Sequence, residues 1–267
     1  MTGYKAIFFD LDGTILTPEF TVPNEVLPCL ESLKDKGFRV SIATGRSFEN
    51  AAPFLEELSI KESAVFSNGA MFYDRDTEQL TLNDFIKKHD VQNLLPVLAK
   101  LNISFKLQTL AGHIYCDDPV KWGSNNFPNE KLFDSNDSSM VADVLKIILL
   151  CSPEKELVLR KSLTSENDFL LKNHIFRTGS QSSEIAPIEI NKSIAIKKIL
   201  KKWNISPQQT IGVGDQQNDY EMIRDMGFGV SVSNGFAGNH QISSLQIPPP
   251  EKGGIKFLTD HILKNLV

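Results

Sequence analysis

"KAIFFDLDGTIL" (Lys5–Leu16) places four apolar residues directly before two closely spaced carboxylates. The apolar run Ala6–Phe9 is typical of a strand that is buried on both faces, as the strands of a parallel sheet are. Asp10 follows this run at once, and a single leucine separates it from Asp12. Because an unpaired charge is unfavourable in a buried position, the two carboxylates indicate a site whose chemistry requires them.

Strand-like and helix-like segments alternate outward from this stretch. Up to residue 67 the sequence predicts a helix over 24–37, a strand over 38–43, a helix over 47–59 and a strand over 63–67. The same alternation returns late in the chain, with helices predicted over 193–203, 217–227 and 255–265 and strands over 209–214 and 228–232. This order is typical of α/β proteins, and it predicts a Rossmann-like, doubly wound parallel sheet with helices on both faces.

Residues 84–184 interrupt this alternation. The segments 104–110 and 113–118 flank Ala111 and Gly112, which predicts an antiparallel hairpin. The stretch 121–139 is rich in Asn, Ser and Gly and predicts a loop. The chain is therefore expected to have an α/β core formed by residues 1–83 and 185–267, with residues 84–184 inserted as an α+β domain.

Composition limits the classes of protein to which the chain can belong. Its 267 residues are 41% hydrophobic and 23% charged, as in ordinary globular proteins, and the net charge of −5 argues against nucleic acid or anionic membranes as partners. No segment has the run of about 18 apolar residues that suggests a membrane span, and the N-terminus does not resemble a signal peptide. Three widely separated cysteines, Cys29, Cys116 and Cys151, are expected to be reduced. We therefore expect a cytoplasmic protein with a small-molecule partner, whereas the oligomeric state stays open.

Polar clusters follow four of the predicted core strands. They are Asp10 and Asp12; Thr44, Gly45 and Arg46; Ser67, Asn68 and Gly69; and Asp215, Asn218 and Asp219. In open parallel sheets, ligands bind beyond the carboxyl ends of the strands, at the point where the strand order reverses. The four clusters are therefore expected to meet at one site.

The clusters resemble the four motifs of the haloacid dehalogenase superfamily of phosphotransferases. "DLDGT" at 10–14, "SIATGR" at 41–46, Lys192 and "GDQQND" at 214–219 occur in the order of those motifs. The spacing is similar to that of Cof-type phosphatases of subfamily IIB, which carry a large α/β cap between the second and third motifs. The resemblance implies that residues 84–184 are this cap and that the rest is the catalytic core. Three positions depart from the usual pattern: Ser193 and Glu189 stand where glycine is common, and Gly235 replaces an alanine.

Phosphoryl transfer explains the two carboxylates that end the first strand. A carboxylate can attack phosphorus and form an aspartyl-phosphate, which divides one hard hydrolysis into two easier steps. We assign Asp10 as this nucleophile. Since two anions repel each other, a Mg²⁺ ion is expected to neutralise them, with Asp215 as a further ligand. The resemblance implies that Asp12 joins the metal site through its backbone carbonyl.

The other motif residues have expected roles around the nucleophile. If Leu11 is extended, Asp12 points the same way as Asp10 and can protonate the leaving oxygen and later deprotonate the attacking water. Asp219 is implied to orient Lys192 or a metal-bound water. Arg46 either contacts the substrate or forms a structural ion pair, and the sequence leaves both open. The residues expected to bind the phosphate are Thr44, Gly45 and Lys192, and the resemblance implies that Asn218 contacts the phosphate or orders the metal shell.

The predicted function is a Mg²⁺-dependent phosphatase that acts on small phosphomonoesters such as sugar phosphates. A phosphomutase or phosphotransferase is the alternative among enzymes, because the phosphoryl group could pass to a second hydroxyl group instead of water. A sensor that binds a phosphorylated ligand without chemistry is the alternative outside enzymes. The pair Asp10 and Asp12 argues against the sensor, since a binding protein gains nothing from two carboxylates that repel its anionic ligand.

Overall fold

The computed structural model describes residues 3–123, 130–163 and 168–266. The strands are β1 Ala6–Phe9, β2 Arg39–Ile42, β3 Ala64–Phe66, β4 Met71–Asp74, β5 Gln79–Leu82, β6 Ser104–Thr109, β7 Ile114–Cys116, β8 Glu130–Leu132, β9 Val144–Leu150, β10 Asn173–Gly179, β11 Ser182–Pro187, β12 Thr210–Gly214, β13 Phe228–Val232 and β14 Leu245–Ile247. The helices are α1 Val26–Asp35, α2 Phe48–Glu57, α3 Lys88–Lys100, α4 Pro119–Trp122, α5 Pro153–Leu163, α6 Phe169–Lys172, α7 Lys192–Trp203, α8 Tyr220–Asp225, α9 Ala237–Ile242 and α10 Gly254–Asn265.

The chain divides into two compact units. The first comprises Met1–Asn83 and Asn191–Val267, and the second comprises Asp84–Ile190. The boundary predicted after residue 184 falls inside β11, whose register pairs it with β9 and β10 of the second unit. The strand therefore carries the second unit six residues beyond that boundary, up to Ile190.

The first unit contains a parallel sheet with the strand order β14-β13-β12-β1-β2. The order reverses between β1 and β12, which lie side by side although about two hundred residues separate them in the chain. Ala6 and Phe8 pack with Ile199 of α7 and Met222 of α8. Ile7 points to the opposite face and is equally buried. The predicted Rossmann-like, doubly wound sheet is confirmed.

An antiparallel sheet with the order β3-β4-β5 also belongs to the first unit. A parallel bridge between Ala43 and Val65 connects its first strand to the end of β2. The helix that joins these two strands, α2, is capped by Ser47, whose side chain accepts a hydrogen bond from the Asn50 backbone N–H. The cap holds the turn after β2 in place, because it satisfies a backbone donor at the start of α2.

The second unit is built on a mixed sheet with the order β10-β11-β9-β6-β7-β8. The predicted hairpin is confirmed, since β6 and β7 pair antiparallel with Lys106 opposite Cys116. Leu94 of α3 and Leu159 of α5 belong to the same buried apolar cluster as Ile147 of β9. The prediction of a loop over 121–139 is wrong at β8, which pairs parallel with β7, and at Lys121 and Trp122, which are the last residues of α4. Residues 124–129 lie outside the described ones.

Two of the expectations from composition concern the cysteines and membrane-spanning segments. The thiols of Cys29, Cys116 and Cys151 are free and buried. In the described ranges, none of the helices is both long enough and apolar enough to cross a membrane. The apolar segments of these ranges instead form the strands and helix faces of the two units.

Candidate active site

The pairing of β1 with β12 brings two acidic motifs together at the carboxyl edge of the parallel sheet. Phe9 lies opposite Val213, and the Asp10 backbone N–H donates to the Val213 carbonyl at 2.9 Å. Asp10, Asp215 and Asp219 are all buried, and one carboxylate oxygen from each lies within 4.8 Å of the others. These side chains therefore meet where the strand order reverses, as predicted for the ligand site of such a sheet.

Lys192 connects two of these carboxylates from the first residue of α7. Its Nζ donates to Asp10 Oδ1 at 2.7 Å and to Asp219 Oδ1 at 2.6 Å, and its side chain is fully buried. The second oxygen of Asp219 accepts the backbone N–H groups of Asp215 at 2.9 Å and Gln216 at 3.0 Å. Both oxygens of Asp219 are thus hydrogen-bonded, and it holds Lys192 and the loop after β12 in fixed positions.

The charges in this cluster do not balance. Burial raises the pKa of Asp10 well above its usual range, although the Lys192 ammonium opposes this effect. Burial and the charge of Asp219 raise the pKa of Asp215 to about 7. Burial alone would lower the pKa of Lys192, but Asp10 and Asp219 outweigh it, so the net shift is upward. When all four groups are ionised, three negative charges face one positive charge. A divalent cation on carboxylate oxygens would offset the difference, and this donor set fits Mg²⁺.

The raised pKa of Asp215 predicts how the stability of the metal-free protein depends on pH. The folded protein keeps this proton up to about pH 7, whereas the unfolded chain loses it at about pH 4. Between these values the folded state binds more protons, so the free energy of unfolding decreases as the pH rises. We expect the Tm in a chelator to fall from about pH 5 to pH 7, and to fall less for Asp215→Asn. Identical pH profiles for the two proteins would contradict this.

Neighbouring side chains fix the position of the Asp215 carboxylate. Thr14 Oγ1 donates to Oδ1 at 3.3 Å, and Gln216 Nε2 donates to Oδ2 at 3.0 Å. Gly13 has a φ of +77°, and a Cβ at this position would overlap the Asp215 carboxylate. Glycine is therefore required after Asp12 for two reasons, the left-handed backbone and the close approach of Asp215.

Asp12 lies outside the buried carboxylate cluster and binds Arg46. Arg46 Nε donates to the two oxygens of Asp12 at 3.1 Å and 2.8 Å, and Nη2 donates to Oδ1 at 2.5 Å. The guanidinium group also lies over two aromatic rings, 5.2 Å from the Phe20 centroid and 4.6 Å from the Phe54 centroid. Of the two alternatives for Arg46, the structure shows the ion pair, and a substrate contact stays a prediction.

The turns after β2, β3 and β12 are joined by hydrogen bonds between polar groups. The Asn68 backbone N–H donates to the Thr44 carbonyl at 3.0 Å. The buried Thr44 hydroxyl accepts the Arg46 backbone N–H at 3.1 Å. Asn218 Nδ2 donates to Asn68 Oδ1 at 2.8 Å, while its buried Oδ1 has no hydrogen-bond partner in the described part of the chain. This oxygen leaves an acceptor for a donor such as a bound water.

All residues predicted for the site belong to the first unit. The hydrogen bonds group them into a buried cluster around Lys192, a pair formed by Asp12 and Arg46, and a set of turn residues that includes Thr44 and Asn218. Three side chains for which the sequence predicts no role also take part, and these are Thr14, Asn68 and Gln216. Each lies within a quoted motif or polar cluster, and only the fold shows which group it contacts.

Comparisons with known proteins agree with this arrangement. A family model described as haloacid dehalogenase-like hydrolase matches residues 7–257. A 5-amino-6-(5-phospho-D-ribitylamino)uracil phosphatase of Bacillus subtilis is 24% identical over 261 residues, 96% of each chain. An HMP-PP phosphatase of Serratia proteamaculans is 24% identical over 255 residues, 91% of this chain and 87% of its own. The solved structure of a HAD subclass IIB sugar phosphatase has a TM-score of 0.82 at 21% identity, with 97% of this chain and 98% of its own covered. Since the family model spans both units and every strand-end motif, the chain belongs to the haloacid dehalogenase-like hydrolases.

Proposed function

We propose that the protein is a Mg²⁺-dependent phosphatase that hydrolyses small phosphomonoesters through an aspartyl-phosphate at Asp10. The observation that carries this proposal is the buried Asp10 carboxylate, which Lys192 holds beside Asp215. A binding protein has no need for this excess of buried negative charge, whereas a phosphoryl-transfer enzyme uses it for attack and for metal binding. Relatives named as phosphatases of phosphorylated metabolites support the same substrate class.

The reaction proceeds in two steps on this chain's own residues. Asp10 attacks the phosphorus, and the bond between phosphorus and the leaving oxygen breaks as Asp12, which enters the cycle protonated, gives its proton to that oxygen and becomes a carboxylate. Asp12 then takes a proton from a water molecule, which attacks the aspartyl-phosphate. The acyl phosphate bond breaks, inorganic phosphate leaves, and the Asp10 carboxylate is restored.

Positive charge and donors around Asp10 stabilise the phosphoryl group during transfer. Lys192 supplies a fixed ammonium, and the turn residues Thr44, Gly45 and Asn218 are the proposed contacts of the phosphoryl oxygens. Asp10 and Asp215 would hold Mg²⁺, with the backbone carbonyl of Asp12 as the further ligand implied by the family. The ion supplies neutralising charge for the carboxylate and phosphoryl oxygens, which otherwise repel each other.

A phosphate-release screen tests the proposed function. The full chain is incubated with a panel of phosphorylated sugars, sugar alcohols and pyrimidine precursors, with Mg²⁺ or with a chelator. We expect phosphate release from at least one of these small phosphomonoesters in the presence of Mg²⁺, and none in the chelator. Conversion of a substrate into its positional isomer without release of phosphate would instead establish a phosphomutase. Binding without any reaction across the panel would establish a sensor.

Replacement of Arg46 distinguishes the two roles that the sequence leaves open. If Arg46 acts by holding Asp12, Arg46→Ala lowers kcat about tenfold to a hundredfold and changes KM little, because proton transfer is impaired. Arg46→Lys rescues only part of kcat, since an ammonium cannot reproduce the hydrogen-bonding pattern of the guanidinium group. Steady-state kinetics on the best substrate measure both parameters. A rise in KM at constant kcat would show a substrate contact.

A further inference from the structure

The loop that carries Asp215 is held from two sides, and the motifs account for only one of them. Asp219 accepts the backbone N–H groups of Asp215 and Gln216. The carbonyl groups of the same two residues are bound by a separate segment, 235–239. The Phe236 backbone N–H donates to the Asp215 carbonyl at 2.6 Å, and Asn239 Nδ2 donates to the Gln216 carbonyl at 2.7 Å.

Gly235 permits this close contact. A Cβ at Gly235 would overlap the carbonyl oxygen of Asp215 and lie 2.9 Å from its carbonyl carbon. Real Cβ atoms do not approach backbone atoms so closely, so the segment can reach the Asp215 carbonyl only with glycine at this position.

The stability of the fold does not by itself explain an asparagine at position 239. It is fully buried, yet its Oδ1 has no hydrogen-bond partner within the described ranges. Burying an amide oxygen without a partner destabilises a fold, and an apolar side chain of similar shape avoids that penalty. Among the described residues, the hydrogen bond that Asn239 Nδ2 donates to the Gln216 carbonyl is the one side-chain interaction that an apolar residue could not form.

We propose that Asn239 is a positioning residue for the metal site, and that with Gly235 it holds the Asp215–Gln216 backbone in place for Mg²⁺ binding. This inference rests on the proposed function, because it assumes that Asp215 is a ligand. Gln216 links this backbone to the Asp215 carboxylate, since its Nε2 donates to Asp215 Oδ2 at 3.0 Å. A ligand that is already fixed binds a metal more tightly than one that must first be ordered.

A calorimetric titration tests the inference without a measurement of activity. The metal-free full chain is titrated with Mg²⁺ alone, and the Kd of Mg²⁺ is measured. We expect Asn239→Leu to raise the Kd of Mg²⁺ about fivefold to tenfold, while its Tm in a chelator is unchanged or higher. Saturating Mg²⁺ should restore kcat. Ser231→Ala is the matched control, because it removes a partly buried hydrogen bond between Ser231 and Ser243 in the same unit, and its Kd for Mg²⁺ should stay at the parent value.

Each outcome of this titration bears on a different claim. A Kd equal to that of the parent in Asn239→Leu would overturn the role of Asn239. No Mg²⁺ binding by the parent would overturn the proposed metal site itself, and the inference with it. If the leucine variant does not fold, Asn239→Ala and Gly235→Ala answer the same question, since one removes the donor and the other pushes the segment away from the Asp215 carbonyl.

Discussion

Asp10→Asn is expected to lower kcat by about four orders of magnitude or more, which corresponds to roughly 5 kcal/mol of barrier. The amide cannot attack phosphorus as a carboxylate does, so the loss appears in kcat and not in KM. Lys192 keeps Asp219 as a partner in this variant, and one of three buried negative charges is removed. The Tm in a chelator should therefore stay equal to that of the parent or rise.

The Tm measurement separates a chemical loss from misfolding. Asp10→Ala serves as a second variant, because an alanine at this position cannot revert to a carboxylate by deamidation. Phosphate release by the pure variants is measured on the best substrate of the screen. Turnover by either variant within about tenfold of the parent would contradict a covalent role for Asp10.

Asp215→Asn is expected to weaken Mg²⁺ binding and to stabilise the metal-free protein. The Kd of Mg²⁺ should rise at least about a hundredfold, and kcat at moderate Mg²⁺ should fall accordingly, because a charged ligand is lost. The Tm of the metal-free protein near neutral pH should rise instead. Burial and Asp219 hold the pKa of Asp215 at about 7, so removal of its charge relieves an unfavourable interaction. Calorimetry and thermal unfolding in a chelator measure the two quantities.

Asp225 offers the matched control for this variant. Burial works against its charge, but hydrogen bonds from Arg224, Lys197 and Ser193 outweigh it and lower the pKa of Asp225 to about 2. Asp225→Asn should therefore lower the Tm near neutral pH and leave Mg²⁺ binding unchanged. An Asp215→Asn variant that lowers the Tm and still binds Mg²⁺ as the parent does would show that Asp215 is a structural residue and not a metal ligand.

Hydrophobic patterning sufficed to predict the parallel core. It failed where the sequence of a strand resembles the sequence of the segments next to it. Ala6–Phe9 is apolar throughout and is followed by two carboxylates, and this pattern is typical of a buried strand. The predicted boundary after residue 184 divides β11, and the pairing of this strand with β9 assigns it to the second unit. β8 has three residues in a polar stretch, and with Glu130 half-buried and the other two residues exposed it carries no periodic apolar signal.

The site was predictable where residue type and spacing decide the chemistry. The positions of Asp10 and Asp215 after predicted strands, and the motif order that includes Lys192, led us to expect these side chains in one site, and the fold places them together. The partners of these residues follow from three-dimensional packing instead. The choice of Asp12 as the partner of Arg46, and of Gln216 as the contact of Asn239, depends on side-chain directions that no linear pattern encodes.

The covalent intermediate is the central claim, and its capture on Asp10 tests that claim most directly. The Asp12→Asn variant is mixed with Mg²⁺ and an aryl phosphate, whose leaving group departs without protonation, and the reaction is quenched in acid. The intermediate should accumulate, because the substituted amide cannot take a proton from the attacking water. Digestion and mass spectrometry should find one phosphoryl group on the peptide that contains Asp10, and borohydride should convert that residue to homoserine. Release of the aryl alcohol with no phosphorylated peptide would contradict the account.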